Sequence, residues 1–243
     1  MTEKLQKVLA RAGVGSRRQM EQWIEEGRVV VNSETAHLGM RVDDNATIIV
    51  DGKRIDLSVS DTLKVIAYHK PVGEICTRHD NVGRPTVFDH LPKLQHGRWV
   101  SVGRLDINTS GLLLLTTDGE LANKLMHPSQ EIEREYACRV HGNVTEDALK
   151  QLREGIVLDG KKARFHKIDH GHGSGRGKGS NQWYNVVLRE GRYREVRRLW
   201  EAVGCQVSRL VRIRYGIVKL PAELQPGNWK TLSSSVVKRL TAL

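Results

Sequence analysis

The 243-residue chain carries 39 lysines and arginines against 28 acidic residues, for a formal charge of +11 and a pI of about 9.8. Its hydrophobic share of 39% is ordinary for a folded protein, and so basic a balance favours a polyanionic partner, foremost nucleic acid. Neither a run of eighteen apolar residues nor a basic helix with a broad apolar face occurs, which argues against a membrane protein.

The cysteines are three in number and lie far apart, at Cys76, Cys138 and Cys205. That pattern is typical of neither a disulfide framework nor a zinc site. The amino terminus carries charges where a signal peptide has an apolar run. We therefore expect a reduced, cytoplasmic protein.

Residues 1–60 are predicted to form a small domain of their own. Apolar residues at helical spacing from Leu5 predict a first helix, and Ser16 with Gln19 forms a capping box that predicts the start of a second. Strands are expected at 28–32 and 47–50, the latter followed by an Asp51-Gly52 turn. The basic residues expected to coat one face of this domain and bind RNA are Lys4, Lys7, Arg11, Arg17, Arg18 and Arg28.

Residues 61–243 are predicted to form a second domain after a polar linker at 57–62. Strands outnumber helices, and tight glycine turns join several neighbours, which favours an α+β fold with a mixed, mainly antiparallel sheet. The predicted strands are 63–69, 99–102, 112–116, 132–140, 183–188 and 207–215. The predicted helices are 120–126, 145–153, 193–203 and a short one near 236.

A glycine-rich run at 171–180 imitates nucleotide-binding motifs without satisfying one. Its glycine spacing misses the dinucleotide pattern, and Gly177-Lys178 precedes Gly179 where a P-loop needs Ser or Thr. A mobile surface connection is expected there. His166, His170 and His172 nearby lack the ligand spacing of a metal site, so we expect no metal.

The stretch from Gly103 to Gly111 lies between two apolar strands and concentrates polar side chains at a strand end, where reactive groups are often displayed. Asp106 and Asn108 in it also suit a simple turn, and residue types alone leave both interpretations open.

A second stretch, 189–214, is rich in arginine, which binds phosphate in a bidentate manner and stacks on bases. On the helix predicted at 193–203, Arg194 and Arg198 share one exposed edge and Arg197 lies on another. A plain solvated basic face is the alternative. A third stretch, 131–137, places Tyr136 among charges, where an ordinary strand tyrosine is equally compatible.

Three segments together resemble a known family. They are Gly-Arg-Leu-Asp-Ile-Asn-Thr-Ser-Gly-Leu-Leu at 103–113, Glu-Arg-Glu-Tyr-Ala at 133–137 and Glu-Gly-Arg-Tyr-Arg-Glu-Val-Arg-Arg-Leu-Trp at 190–200. In this order they resemble the bacterial pseudouridine synthases that modify rRNA of the small or the large ribosomal subunit. The resemblance covers nearly the whole chain, and the N-terminal domain is similar to the small α-L RNA-binding domain of a ribosomal protein.

The resemblance implies a catalytic function for Asp106, Tyr136 and Arg197. Asp106 attacks or assists loss of the base, and Arg197 pairs with that carboxylate; a cation at about 4 Å contributes roughly 4 kcal/mol at an effective dielectric near 20. Such a neighbour typically lowers a carboxylate pKa by about 1–3 units. Tyr136 lies against the extruded uracil.

Substrate contacts are likewise implied by the resemblance. Arg104 fills the space that the flipped uridine leaves, and the remaining predicted substrate-binding residues are Asn108, Arg192, Arg194 and Arg198. No cofactor is expected because the isomerisation conserves all atoms. The wider superfamily often has His-Gln where this chain has Arg194-Glu195, so the fine substrate contacts differ.

The target implied is a uridine of 23S rRNA, at a site of the 2605 type. The segment 182–186 and the arginine-rich third motif favour the large-subunit type. Another rRNA uridine stays open, as does a non-enzymatic rRNA-binding assembly factor that uses the same basic surfaces. The partner is rRNA, either free or in a pre-ribosomal particle, and we expect a monomer because no exposed apolar patch calls for a partner.

Overall fold

A computed structural model describes residues 2–43, 45–57, 63–78, 80–171 and 181–243. Most of the predicted linker at 57–62 and of the glycine-rich run at 171–180, including His172, therefore lies outside the described residues. The chain divides into two compact units. The first comprises residues 1–64, 92–100 and 117–119, and the second comprises 65–91, 101–116 and 120–243.

The described residues up to position 57 form two helices and six short strands. The elements are β1 (Glu3–Lys4), α1 (Leu5–Arg11), α2 (Arg17–Glu25), β2 (Val29–Val31), β3 (Glu34–Thr35), β4 (Arg41–Val42), β5 (Ile48–Val50) and β6 (Lys53–Arg54). Four strands form an antiparallel sheet in the order β3-β2-β5-β6, and β1 pairs with β4. Leu5, Leu9, Met20, Val29 and Ile48 are fully buried at its centre.

Two local predictions in this unit are confirmed. The hydroxyl of Ser16 accepts from Gln19 N at 3.1 Å, and Gln19 Oε1 accepts from Ser16 N at 3.4 Å, which completes the capping box before α2. Asp51 and Gly52 have φ values of +50° and +75°, so both lie in the left-handed region that a tight hairpin between β5 and β6 requires.

The rest of the chain contributes eleven strands and four helices among the described residues. The strands are β7 (Val65–Lys70), β8 (Val100–Ser101), β9 (Ser110–Thr116), β10 (Arg134–His141), β11 (Ile156–Leu158), β12 (Lys161–Ala163), β13 (Lys167–His170), β14 (Asn181–Leu188), β15 (Gln206–Tyr215), β16 (Val218–Lys219) and β17 (Trp229–Thr231). The helices are α3 (Gly119–Met126), α4 (Glu146–Glu154), α5 (Glu195–Ala202) and α6 (Ser234–Thr241), with a 3-10 turn at Pro128–Gln130.

A nine-stranded sheet organises the second unit. Its path is β13-β14-β10-β15-β9-β7-β17, with β16 paired to β15 and β8 to β9. On this path β15 and β9 run parallel and the other pairs run antiparallel. The prediction of a mixed, mainly antiparallel α+β fold is therefore confirmed. The parallel pair joins the strand that follows Asp106 to the strand that follows the arginine-rich helix.

Two differences from the sequence predictions affect the site. Helix α5 begins at Glu195 instead of Tyr193, because Arg194 has a left-handed φ of +49° that cannot continue a helix. The β11–β12 hairpin was not predicted, since its strands are three residues long and hold only a few apolar side chains. None of the helices described here combines the length and apolarity needed to cross a bilayer.

Candidate active site

A cleft of about 1050 Å³ opens on the second unit and brings the three sequence motifs together. Its walls include the loop before β9, β10, the start of β12, the loop before α5 and β15. The charged and aromatic residues that line it include Arg104, Asp106, Arg134, Tyr136, Lys161, Glu190, Arg192, Arg194, Glu195 and Arg212.

Asp106 lies half-buried in the loop that enters β9. Its carbonyl accepts from Thr109 N at 3.0 Å, which closes a turn, and Gly73 N donates to Ile107 O at 2.8 Å. Buried Leu105 exchanges two contacts with Cys76 at 3.4 Å, one in which Leu105 N donates to Sγ and one in which the thiol donates to Leu105 O. The backbone is therefore fixed on both sides of the carboxylate.

Three buried cations hold this motif through its carbonyl oxygens. Lys70 Nζ donates to Thr109 O and Pro71 O, each at 2.8 Å. Arg197 Nη2 donates to Asn108 O at 3.0 Å, and Arg212 Nε donates to Leu112 O at 2.7 Å. All three cations are less than one-tenth exposed, so the bonds form in a medium where charge-assisted contacts are strong.

Two of these cations, Lys70 and Arg197, also interact electrostatically with Asp106. Burial lowers the pKa of Lys70, and its electrostatic interactions with Cys76, Glu74 and Asp106 oppose that effect. Burial and then the charge of Arg194 lower the pKa of Arg197, while Asp106 opposes them. The direct ion pair predicted between Arg197 and Asp106 is absent: no cationic nitrogen of a described residue lies within 4.0 Å of the Asp106 carboxylate. The two terminal nitrogens of Arg197 donate instead to Asn108 O and Val207 O.

Gly111 is required where β9 meets β15. Its φ is +109°, and a Cβ at this position would lie 2.3 Å from Arg212 O and 2.6 Å from Arg212 N. The parallel register pairs Gly111 with Arg212, so the missing side chain lets the two backbones approach. This contact fixes Arg212 against the motif that carries Asp106.

Tyr136 lies on β10 at 9% exposure and lines the cleft. Arg134, two residues earlier on the same face, donates from Nη1 to Arg189 O at 3.1 Å and from Nη2 to Tyr215 Oη at 3.2 Å. Tyr215 Oη in turn donates to Leu125 O at 2.7 Å. The cleft wall beside Tyr136 is thus built from aromatic rings and guanidinium groups that hold one another in place.

The predicted substrate-binding residues divide into two groups. Arg104, Arg192 and Arg194 line the cleft, whereas Asn108 and Arg198 do not. Asn108 offers its carbonyl to Arg197, and Arg198 forms a bidentate pair with Asp159, both distances being 2.7 Å. Arg198 therefore contacts Asp159, which the unpredicted hairpin brings to that edge of α5, instead of lining the cleft.

A pair of carboxyl groups borders the same wall. Glu195, the first residue of α5, is 3% exposed, and its Oε2 accepts from Arg192 N at 3.1 Å. Burial, and after it the neighbouring Glu190, raises the pKa of Glu195 to about 7. The position that departs from the superfamily's common His-Gln is thus a buried carboxyl group that gains a proton near neutral pH.

The basic residues of the first unit are only partly available to a ligand. Lys7 pairs with Glu3 at 2.7 Å, Arg11 pairs with the same carboxylate, and Arg28 pairs with Asp51 at 2.6 Å. Among the residues predicted to bind RNA in this unit, Lys4, Arg17 and Arg18 are exposed and have no carboxylate of a described residue within 4.0 Å. Arg98, which sequence reasoning missed, is half-buried in this unit, and burial together with the charge of Arg17 lowers its pKa.

Four further residues of the site were not identified from the sequence: Lys70, Arg134, Arg212 and Glu195. The sequence does contain a clue to Lys70, which ends an apolar strand just before Pro71. A lysine buried at such a position needs hydrogen-bond acceptors nearby. Arg134 and Arg212 look like surface residues of charged strands, and only the tertiary pairing shows that their faces are buried. No three potential metal ligands gather within the part of the chain that the structure describes.

Comparison with known proteins agrees with the geometry. The model of the RNA pseudouridylate synthase family matches residues 64–202, and that of the S4 domain matches residues 3–48. The chain is 56% identical over 247 residues to ribosomal large subunit pseudouridine synthase B of Yersinia pestis, spanning 100% of this chain and 76% of that protein. The protein of the same name from Escherichia coli (strain K12) is 57% identical, again over 100% of this chain and 84% of its own length.

A solved structure described as a pseudouridylate synthase superposes with a TM-score of 0.65 at 26% identity, covering 98% of this chain and 99% of that one. The family match spans more than half of the sequence and includes the loop of Asp106, Tyr136 and all of α5. The chain therefore belongs to the RNA pseudouridylate synthase family of isomerases.

Proposed function

We propose that this protein converts one uridine of large-subunit ribosomal RNA to pseudouridine, with Asp106 as its catalytic carboxylate. The observation that carries the proposal is the position of Asp106, which lines the cleft on a loop. Two buried cations, Lys70 and Arg197, donate hydrogen bonds to the carbonyl oxygens of that loop. The identity of 56–57% to proteins named for large-subunit modification supports that substrate class.

The reaction is an isomerisation that needs no second reactant. The bond between the ribose and a ring nitrogen breaks, the uracil turns, and a ring carbon takes the place of the nitrogen, so all atoms are conserved and no cofactor is needed. Asp106 supplies the carboxylate that attacks or assists loss of the base. Lys70 and Arg197 attract its negative charge when a bound nucleotide displaces water from the cleft.

The uridine must leave its stack to reach Asp106, at a cost of a few kcal/mol. We propose that Arg104, exposed at the mouth of the cleft, occupies the space that the base leaves. Tyr136 offers the flat surface against which the freed uracil turns. Arg194 lines the same cleft and supplies positive charge to the flanking phosphates.

The N-terminal S4-type domain is proposed to add RNA affinity through the basic face described above, chiefly Lys4, Arg17 and Arg18. Contacts of this kind act on phosphate and shape and carry little base information. The target nucleotide is proposed to be of the 2605 type in 23S rRNA, reached as a monomer on free rRNA or on a pre-ribosomal particle in the cytoplasm.

Mapping pseudouridine in the rRNA of cells that lack the gene tests this function. One pseudouridine of the large-subunit rRNA should disappear, return on complementation with the wild-type gene, and stay absent with Asp106→Asn. Loss of a small-subunit pseudouridine would redirect the proposal to another uridine. A complete set of pseudouridines would favour the alternative of a non-enzymatic assembly factor.

A further inference from the structure

We infer that the β11–β12 hairpin, residues 156–163, is a phosphate-binding rim of the cleft that receives the RNA backbone beside the target nucleotide, and that Arg192 and Arg198 hold it in position. The inference rests on the proposed function for its ligand. Arg192 and Arg198, which the sequence suggests as direct substrate contacts, together form what we call the clamp, because their side chains hold the hairpin in position.

The guanidinium of Arg192 binds backbone carbonyl groups of the hairpin. Nη1 donates to Lys161 O at 3.2 Å and Nη2 donates to Lys162 O at 2.9 Å. Nε donates to Glu190 Oε2 at 2.8 Å, which orients the fork. These bonds use three of the five N–H groups of Arg192 and fix its guanidinium to the hairpin, although the residue also borders the cleft.

Arg198 forms an ion pair with Asp159 at the tip of the same hairpin. Its two terminal nitrogens meet both oxygens of Asp159 at 2.7 Å, the parallel geometry in which an arginine–carboxylate pair is strongest. Asp159 and Gly160 have φ values of +50° and +73°, so they form the tight turn between β11 and β12. The turn is therefore attached to α5 at its tip, and Arg192 attaches β12.

The clamp leaves the hairpin with positive charge facing the cleft. Lys161 lines the cleft, is exposed, and has no carboxylate within 4.0 Å among the described residues. The stem of Lys162 lies over Gly155, where a Cβ would come within 2.6 Å of its Cε. The acid of the turn, Asp159, is neutralised by Arg198. A lysine held at the mouth of a uridine-binding cleft fits one phosphate of the adjoining backbone.

Asp159→Asn is the critical variant, because it cuts the clamp while it makes the protein more positive. Asparagine keeps the size of the side chain and suits a left-handed turn position before glycine. Simple electrostatics predicts equal or tighter RNA binding, whereas the clamp predicts binding about threefold weaker. The matched control is Glu154→Gln, which makes the same charge change at the exposed last residue of α4.

Affinity is measured by filter binding to a 23S rRNA transcript at several salt concentrations. Lys161→Ala is expected to weaken binding about fivefold and to reduce the salt slope by about 0.7–0.9. Asp159→Asn in the Lys161→Ala background should then have no further effect. Arg198→Lys, which keeps the charge and loses the fork, should match Asp159→Asn.

The inference is overturned if Asp159→Asn and Arg198→Lys, each with a wild-type melting temperature, bind the transcript as tightly as Glu154→Gln. It is also overturned if the effects of Asp159→Asn and Lys161→Ala are additive. Pseudouridine formation by the wild-type protein is followed in parallel. Its absence would count against the proposed function alone, since the binding comparison stands without it.

Discussion

Arg197 donates from Nη2 to the carbonyl oxygen of Asn108 at 3.0 Å, two residues beyond Asp106 in the chain. Its Nη1 donates to Val207 O at 2.7 Å, so one guanidinium joins the start of β15 to the loop that carries the carboxylate. Arg197 is only 7% exposed. Arg197 therefore contributes in two ways. Its positive charge attracts Asp106, and the hydrogen bonds of its two terminal nitrogens fix the backbone that orients the Asp106 side chain.

Arg197→Lys separates these two contributions. The ammonium keeps the positive charge but cannot serve both carbonyl oxygens, so Asn108 O or Val207 O is left buried and unpaired, at a cost of about 1–3 kcal/mol. We expect the single-turnover rate of pseudouridine formation to fall about tenfold or more, with RNA affinity unchanged. Arg209→Lys, at an exposed position of β15, is the control and should have no effect. A wild-type rate for Arg197→Lys would show that charge alone suffices.

Asp106→Asn tests the carboxylate itself. The amide keeps the size of the side chain and removes both its charge and its nucleophilic character, so we expect the rate to fall on the order of 10³-fold or more. Binding of the rRNA transcript should stay within about twofold, because affinity comes mainly from cationic contacts to phosphate. Asp147→Asn, in the exposed first turn of α4, makes the same charge change and should leave the rate unaltered. Equal loss of binding and rate would argue against a catalytic function.

Much of this fold follows from local chemistry. The capping box at Ser16 and the turn at Asp51-Gly52 are signals that neighbouring atoms satisfy, and the structure contains both. The mainly antiparallel sheet follows from the balance of strands and glycine turns. Local patterns therefore sufficed wherever the deciding contact lay within a few residues.

The parts of the site that the sequence did not predict depend on contacts between distant segments. Lys70 and Thr109 are 39 residues apart, and Arg212 and Leu112 are 100 apart. Nothing local shows that these cations are buried, since charged side chains are rarely inside unless they are paired. The pairing of Arg198 with Asp159 was missed for the same reason, because Asp159 lies in a hairpin too short to produce a clear strand pattern.

Gly111→Ala is expected to be strongly destabilising. The added Cβ would meet the backbone of Arg212, and the φ of +109° is strained for any residue with a side chain. We expect a loss of about 2–4 kcal/mol in the free energy of unfolding, since backbone strain and overpacking add. Gly119→Ala is the matched control, because a Cβ there meets nothing within 4 Å and alanine suits the start of α3. Chemical denaturation measures both, and an unchanged midpoint for Gly111→Ala would contradict the close approach of β9 and β15.

Glu195 should make stability depend on pH. Burial, followed by the neighbouring Glu190, raises its pKa from 4.5 to about 7, while the backbone N–H and the charge of Arg192 oppose the rise. Between about pH 4.5 and 7 the folded protein holds a proton here that the unfolded chain has lost. The contribution of Glu195 to stability is therefore highest below about pH 4.5, falls as the pH rises through this window, and is constant above it.

Glu195→Gln removes that dependence, because the amide imitates the neutral carboxyl group at every pH. The variant should melt close to the wild type at about pH 5 and at least about 3 °C higher at about pH 8, where the wild type holds two negative charges at Glu190 and Glu195. Glu154→Gln, at an exposed position, should shift the melting temperature equally at both pH values. A difference between Glu195→Gln and the wild type that is the same at both pH values would mean that Glu195 stays ionised in the fold.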